Sequence, residues 1–247
     1  SEVKLSLVGD ITGGFLASLP EEVAEALQEV GSADLYNLIV GSIFYKMAGL
    51  LLPIIYVIMV SNSLIAGQVD SGSMAYVLST STKRDEVTFT QAAFLILSIS
   101  AMMLMTTLTS VICLAIVSSP DITLTYGQLI LMNLGAFMVL LAISGLCFMT
   151  SCIFNRSKKA MAIGGGLSMF FLVATMLGLF GSPVLPSVIR LSALNFFNYV
   201  TIISLFDTIS IIEGTLAFLW KFAILLVMAG VCYAVGFVKF RKKDLPL

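Results

Sequence analysis

Apolar residues run along this chain in stretches too long for strands and too uniform for one helical face. Five stretches reach membrane-crossing length: about Met47 to Gly67, Ala92 to Val117, roughly Leu129 to Phe154, Ala160 to about Phe180, and Leu216 to Val238. Only Lys221 carries a charge within them. A helix rising 1.5 Å per residue needs about 20 residues to cross a hydrocarbon layer of ~30 Å. The stretches lack the period-two alternation of strands, which excludes a barrel of the outer-membrane kind. The pattern therefore predicts an all-α polytopic membrane protein, with five transmembrane helices over residues 47–247 and short interfacial helices.

The segments between the spans are read from their punctuation. Residues 1–46 form a segment of their own. Within it Pro20, Glu21 and Glu22 make a helix start, and Ala24, Leu27 and Val30 follow at helical spacing until Gly31 stops them. That predicts a short amphipathic helix lying on the membrane surface. Residues 181–214 open with Pro183 and Pro186, and the apolar run Leu191 to Ile212 is interrupted by Asn195, Asn198 and Asp207. An interfacial or a re-entrant helix fits; a sixth full span would put one basic loop on the wrong side. Pro53 frees a backbone carbonyl in the first span, as a kink or a hinge. Gly164, Gly165 and Gly166, with Ala160 and Ala162, suit close helix packing in the fourth. Asn62, Ser63, Asn133 and Ser144 are polar groups at membrane depth, facing a pathway or bonding across helices.

Composition agrees with the pattern, and the placement of charge orients it. The 247 residues are 59% hydrophobic and 11% charged, with a mean hydropathy of +1.06. A soluble domain carries ~25% charged residues. An ordinary soluble enzyme, a disordered chain and a nucleic-acid binder with a basic face are excluded. Nine of the thirteen basic residues fall in three alternate connections: Lys83 and Arg84; Arg156, Lys158 and Lys159; Lys239, Arg241, Lys242 and Lys243. Lys4, Lys46 and Arg190 lie in the other connections, with Lys221 at the near edge of the fifth stretch and ten of the fourteen acids on the same side. The positive-inside rule then places the C-terminus in the cytoplasm and residues 1–46 and 181–214 outside, in a cell membrane. Five spans with an external start fit either a crossing that precedes this sequence or removal of a tag or signal.

Candidate chemistry is sparse. There is no histidine, so Ser-His hydrolysis, His general bases and His zinc sites drop out. Cys113, Cys147, Cys152 and Cys232 all lie in apolar runs and form no C-x-x-C pair, so they read as small hydrophobes. No paired acids sit at the middle of spans, which removes an aspartyl membrane protease. No G-x-x-x-x-G-K-[ST] phosphate loop occurs, so ATP hydrolysis is not expected on this chain. No enzyme activity, catalytic residue, metal site or cofactor is expected here.

The segment between the first two spans, residues 68–86, is the most informative. Ser71 or Ser73 can cap a short helix running from Met74 to Leu78. Met74, Val77 and Leu78 share one face of it at i, i+3 and i+4. Such a face lies on lipid or fills a partner's groove. Here the chain resembles a family. Ala66, Gly67, Gln68, Asp70, Gly72, Ser73, Val77, Leu78, Ser79, Lys83 and Arg84 look like the first cytoplasmic loop of permease subunits of type 2 ATP-binding-cassette (ABC) exporters. The ending Phe240-Arg241-Lys242-Lys243-Asp244-Leu245-Pro246 resembles that family's tail. Span spacing matches throughout, in a family with six spans per permease. Two positions depart: Gln68 stands where Glu is usual, and Ser81 where Pro is usual. A Gln keeps an acceptor and loses the charge that strengthens a salt bridge.

The resemblance implies a coupling helix docked on a separate ATPase subunit, with Gln68, Asp70, Ser71, Gly72, Ser73, Met74, Val77, Leu78, Lys83 and Arg84 at the contact. ATP and Mg would sit on that partner. A second permease copy or homologue and membrane lipid are the other expected partners, nucleic acid is not, and the setting implied is a bacterial cell membrane. Arg156, Lys158 and Lys159 either touch the same ATPase or only anchor topology. Substituting Met74 or Leu78 with Asp is expected to release the ATPase. The alternative is a non-transporting membrane sensor or assembly protein with a permease-like fold.

Overall fold

A computed structural model describes residues 44–79, 83–117, 125–181, 191–212 and 214–243. Among the described residues there is no strand. Among these residues five helices are long and apolar enough to cross a membrane: α1 (Phe44–Asp70), α3 (Arg84–Val117), α4 (Tyr126–Ile153), α5 (Ser157–Phe180) and α8 (Phe218–Arg241). The short helix α2 (Ser73–Leu78) stands between α1 and α3. Between α5 and α8, the pieces α6 (Ala193–Val200) and α7 (Ile202–Ile212) meet at 84°. The bend falls at Thr201, whose extended backbone breaks the helix and whose hydroxyl accepts the Ile203 N–H that starts the next one. The amphipathic helix expected near residues 21–30 lies outside the described residues.

The helices outrun the apolar stretches that announce them. α1 is already helical at Phe44, the first described residue, before the expected Met47, and takes in Lys46. α3 begins at Arg84 rather than Ala92, which narrows the connection expected over residues 68–86 to residues 71–83. Asp85 and Glu86 in the first turn of α3 face the positive end of its dipole, and Glu86 Oε2 accepts the Lys83 N–H at 3.3 Å. The Thr88 and Thr90 hydroxyls return to carbonyls four residues back, so polar side chains continue the helix beyond the hydrocarbon.

α4 is the central pillar, packed most extensively on α8 and then on α3 and α1. Hydrophobic force does not drive helices together in lipid; close approach and interhelical hydrogen bonds do. Glycines supply the approach. A Cβ on Gly145 would lie 3.1 Å from the Ala229 carbonyl oxygen, and one on Gly236 3.2 Å from Met149 Cα. The glycine run of α5 divides by face. Gly164 abuts Thr150 of α4, Gly165 abuts Ile58 of α1, and Gly166 meets nothing within 4 Å. Polar groups at membrane depth bond across helices: Ser144 Oγ and Tyr233 OH at 2.8 Å, Asn133 Nδ2 to Tyr45 OH at 3.1 Å, and Asn62 Nδ2 to Ser157 Oγ at 2.7 Å. α3 lies on the outside, and its exposed Phe94, Leu97, Leu104, Leu108 and Ile112 suit a hydrocarbon surround.

Two departures from α-helical winding fall at one end of the bundle. Ser63–Gly67 of α1 and Met161–Gly165 of α5 are π-turns, and they lie on either side of the Asn62–Ser157 hydrogen bond. Such turns are rare and mark sites where a helix yields. Pro53 is buried in the middle of α1, after a further π-turn at residues 44–48.

Candidate coupling surface

At the end of α1 the chain must turn sharply and start α2 within two residues. Gly72 makes the turn with φ +75°, a left-handed conformation that side chains resist. The Ser71 and Ser73 hydroxyls both donate to the Gln68 carbonyl, at 3.3 and 3.2 Å, and lie 2.9 Å from one another. They satisfy the end of α1. Gly72 holds the N-cap position of α2, and Ser71 Oγ, one residue earlier, accepts the Ser73 N–H at 3.5 Å. The serine expected from sequence thus serves the start of α2 from one residue before the N-cap position.

The expected apolar face is also divided differently. Met74 is 2% exposed and belongs to the chain's own core. Leu78 is half-buried against that core, while Val77 is 39% and Tyr76 81% exposed. Helical spacing groups Met74, Val77 and Leu78, but it leaves open which side the transmembrane body covers. The body covers Met74, so an Asp at Met74 would break packing rather than report docking. The apolar group offered outward is Tyr76 with Val77.

The other predicted residues tie α2 to the bundle. Gln68 Oε1 accepts from Gln91 Nε2 of α3 at 3.5 Å, so its amide is used inside the chain. Asp70 Oδ2 accepts the Ser157 N–H at 3.1 Å, and so caps α5 from 87 residues away. Arg84 Nη1 donates to the Lys243 carbonyl at 2.9 Å, and Lys243 Nζ donates to the Cys152 and Phe154 carbonyls at 3.0 and 2.9 Å. Partial burial lowers the Lys243 pKa, and the neighbouring Cys152 sulfur opposes that shift. Arg241 and Asp85 make an exposed ion pair at 3.6 Å. Lys83 is exposed. Ser81 lies outside the described residues. The connection after α1, the start of α5 and the tail after α8 therefore form one hydrogen-bonded platform under α2. Asp70→Ala is expected to cost about 1 kcal/mol, the usual worth of an N-cap. Hydrogen exchange should then speed up over the first turn of α5 and stay unchanged in α4.

At the opposite end of the bundle the structure brings together three charges that the sequence scatters. Lys221 near the start of α8 donates to Asp207 Oδ2, and Lys46 near the start of α1 lines the same cavity. Asp207 is also bound by the Ser210 N–H at 3.2 Å and the Ser210 hydroxyl at 2.7 Å. Local pattern does not join residues 161 positions apart. The one signal available is that Asp207 interrupts an apolar run and Lys221 lies inside a span.

Comparison with known proteins adds the family. The profile described as ABC-2 family transporter protein matches residues 12–245, nearly the whole chain. No curated protein and no solved structure matches it. Five spanning helices, a short helix on a platform between the first two, and a family match over that length point one way: the chain belongs to the ABC-2 transporter family, as a membrane permease.

Proposed function

We propose that this permease works in export, moving a substrate out of the cytoplasm on ATP hydrolysed by a separate ABC ATPase subunit seated on α2. The observation that carries the reading is the division of α2: Met74 is anchored in the bundle and Tyr76 stands out from it. A helix held on one side and offered on the other transmits a push. Closure of two ATPase subunits around ATP and Mg displaces α2, and the displacement passes along three links. Gln68 leads to α3, Asp70 to the start of α5, and Arg84 to the tail after α8. The π-turns Ser63–Gly67 and Met161–Gly165, next to these links, are where α1 and α5 can bend.

The same reading orients the protein in the cell membrane of a bacterium. Lys83, Arg84, Arg156, Lys158, Lys159, Lys239, Arg241, Lys242 and Lys243 gather at the α2 end, which is then cytoplasmic, together with the C-terminus. Two ATPases call for two permeases, so a second copy or a homologue completes the transporter. The test is purification of the tagged full chain in mild detergent from its own cells. A phosphate-loop ATPase should copurify in a 1:1 ratio with it, and should turn over ATP faster in the complex than alone. Recovery of the chain without an ATPase refutes the reading.

A further inference from the structure

Among the described residues, the cavity at the end of the bundle away from α2 is lined by two ammonium groups and one carboxylate. It measures about 170 Å³ and is lined by Lys46, Thr175, Asn198, Ser204, Asp207 and Lys221 on its polar side and by Met47, Leu179 and Ile209 on its apolar side. That is room for a small head group rather than a single water.

Its polar lining is committed, with one exception. Both Asp207 oxygens are engaged, by Lys221 and by Ser210. Thr175 Oγ1 donates to the Phe171 carbonyl at 2.8 Å, Asn198 Nδ2 to the Gly178 carbonyl at 2.9 Å, and Ser204 Oγ to the Thr201 carbonyl at 2.7 Å. Among the described residues Lys46 has no hydrogen-bond partner, and the cavity sets two ammonium groups against one carboxylate. An ammonium removed from water without a counter-charge is costly, and in membrane proteins such groups mark ligand or ion sites. Here Asp207 attracts both ammonium groups, and its one charge leaves the balance for a single further anion.

We propose that this cavity binds the anionic head of an amphiphile, a carboxylate or phosphate on Lys46, with its chain leaving along Met47, Leu179 and Ile209. Lys221, held by Asp207, adds positive field without being free to bind. The site does not depend on ATPase docking. Lys46 and Asp70 are 24 residues apart on α1, roughly 36 Å at 1.5 Å per residue.

The chain carries its own reporter. Trp220 is its single tryptophan, and Lys221 Nζ lies 5.8 Å from the centre of that ring. The purified full chain in neutral detergent is titrated with 2-bromododecanoate and with its methyl ester, whose bromine, on the carbon next to the carboxyl group, quenches indole at short range. The acid should give a saturable quench and the ester only the linear quench of the micelle. Lys46→Met should weaken the saturable phase at least tenfold, and Lys46→Arg should retain it. Phosphatidylglycerol that displaces the acid, where phosphatidylcholine does not, identifies a lipid head group as the resident. Failure of both lipids to compete identifies a free amphiphile. Equal quenching by acid and ester overturns the proposal without any variant. So does a saturable phase that Lys46→Met leaves within twofold.

Discussion

Replacing Tyr76 and Val77 together with Asp is expected to strip the ATPase from the permease while leaving the permease folded. Tyr76 is 81% exposed on a helix of six residues that the bundle already anchors through Met74. Aromatic residues presented in this way carry much of the binding energy of an interface, about 2 kcal/mol or more for one tyrosine, or roughly 30-fold in affinity. Two carboxylates facing an apolar groove add a desolvation cost of their own. Copurified ATPase should fall below about a tenth of the wild-type yield. Membrane insertion and the apparent Tm of the permease should stay put, because exposed substitutions usually change stability by no more than ~0.5 kcal/mol. Met74→Asp gives the contrast. It buries a charge in the core, so it should lower Tm before it affects docking. If the double variant still copurifies fully with active ATPase, α2 is not the docking helix.

How much of this was legible in the sequence depends on the range of each interaction. The spans were legible because twenty apolar residues in a row have one outcome in a bilayer. The start of α3 was not, because Arg84 to Gln91 is polar and hydropathy ends where the helix does not. Helical spacing found α2 and one of its faces. It could not show that Met74 is buried in the core, since that depends on how the bundle is assembled. Asp70 looked like a residue for a partner, and its carboxylate is bound to an amide 87 positions on. Arg84 likewise bonds to the tail 159 positions away. The Lys46, Asp207 and Lys221 cluster is the extreme case. Each of the three read as a loop or boundary charge, and only the fold brings them to one cavity.

Among single substitutions, Gly181→Ala is expected to be among the most destabilising, and the reason is contact rather than backbone conformation. Gly181 has φ −92° and ψ −7°, which any residue tolerates. A Cβ there, however, would fall 2.5 Å from the Leu194 carbonyl carbon and 2.6 Å from Asn195 Cα. These are backbone atoms, with no rotamer by which to move aside. They are held in place by the Leu191 N–H on the Phe180 carbonyl at 3.0 Å and by Asn198 Nδ2 on the Gly178 carbonyl at 2.9 Å. α6 must therefore lift from the end of α5. Overpacking of this kind costs about 3 kcal/mol, and each kcal/mol lowers Tm by roughly 2–4 °C in a chain of this size. Gly166→Ala is the control. Gly166 is exposed on α5 with nothing within 4 Å, so alanine should be neutral or slightly stabilising, by up to about 1 kcal/mol. Asn198 connects this packing to the cavity, since it lines the space beside Lys46. Gly181→Ala should therefore also weaken the saturable quench of Trp220 while ATPase copurification through the far end of the bundle stays intact. Equal Tm values for the two alanine variants would mean that α6 does not rest on α5, and the cavity walls would then need to be redrawn.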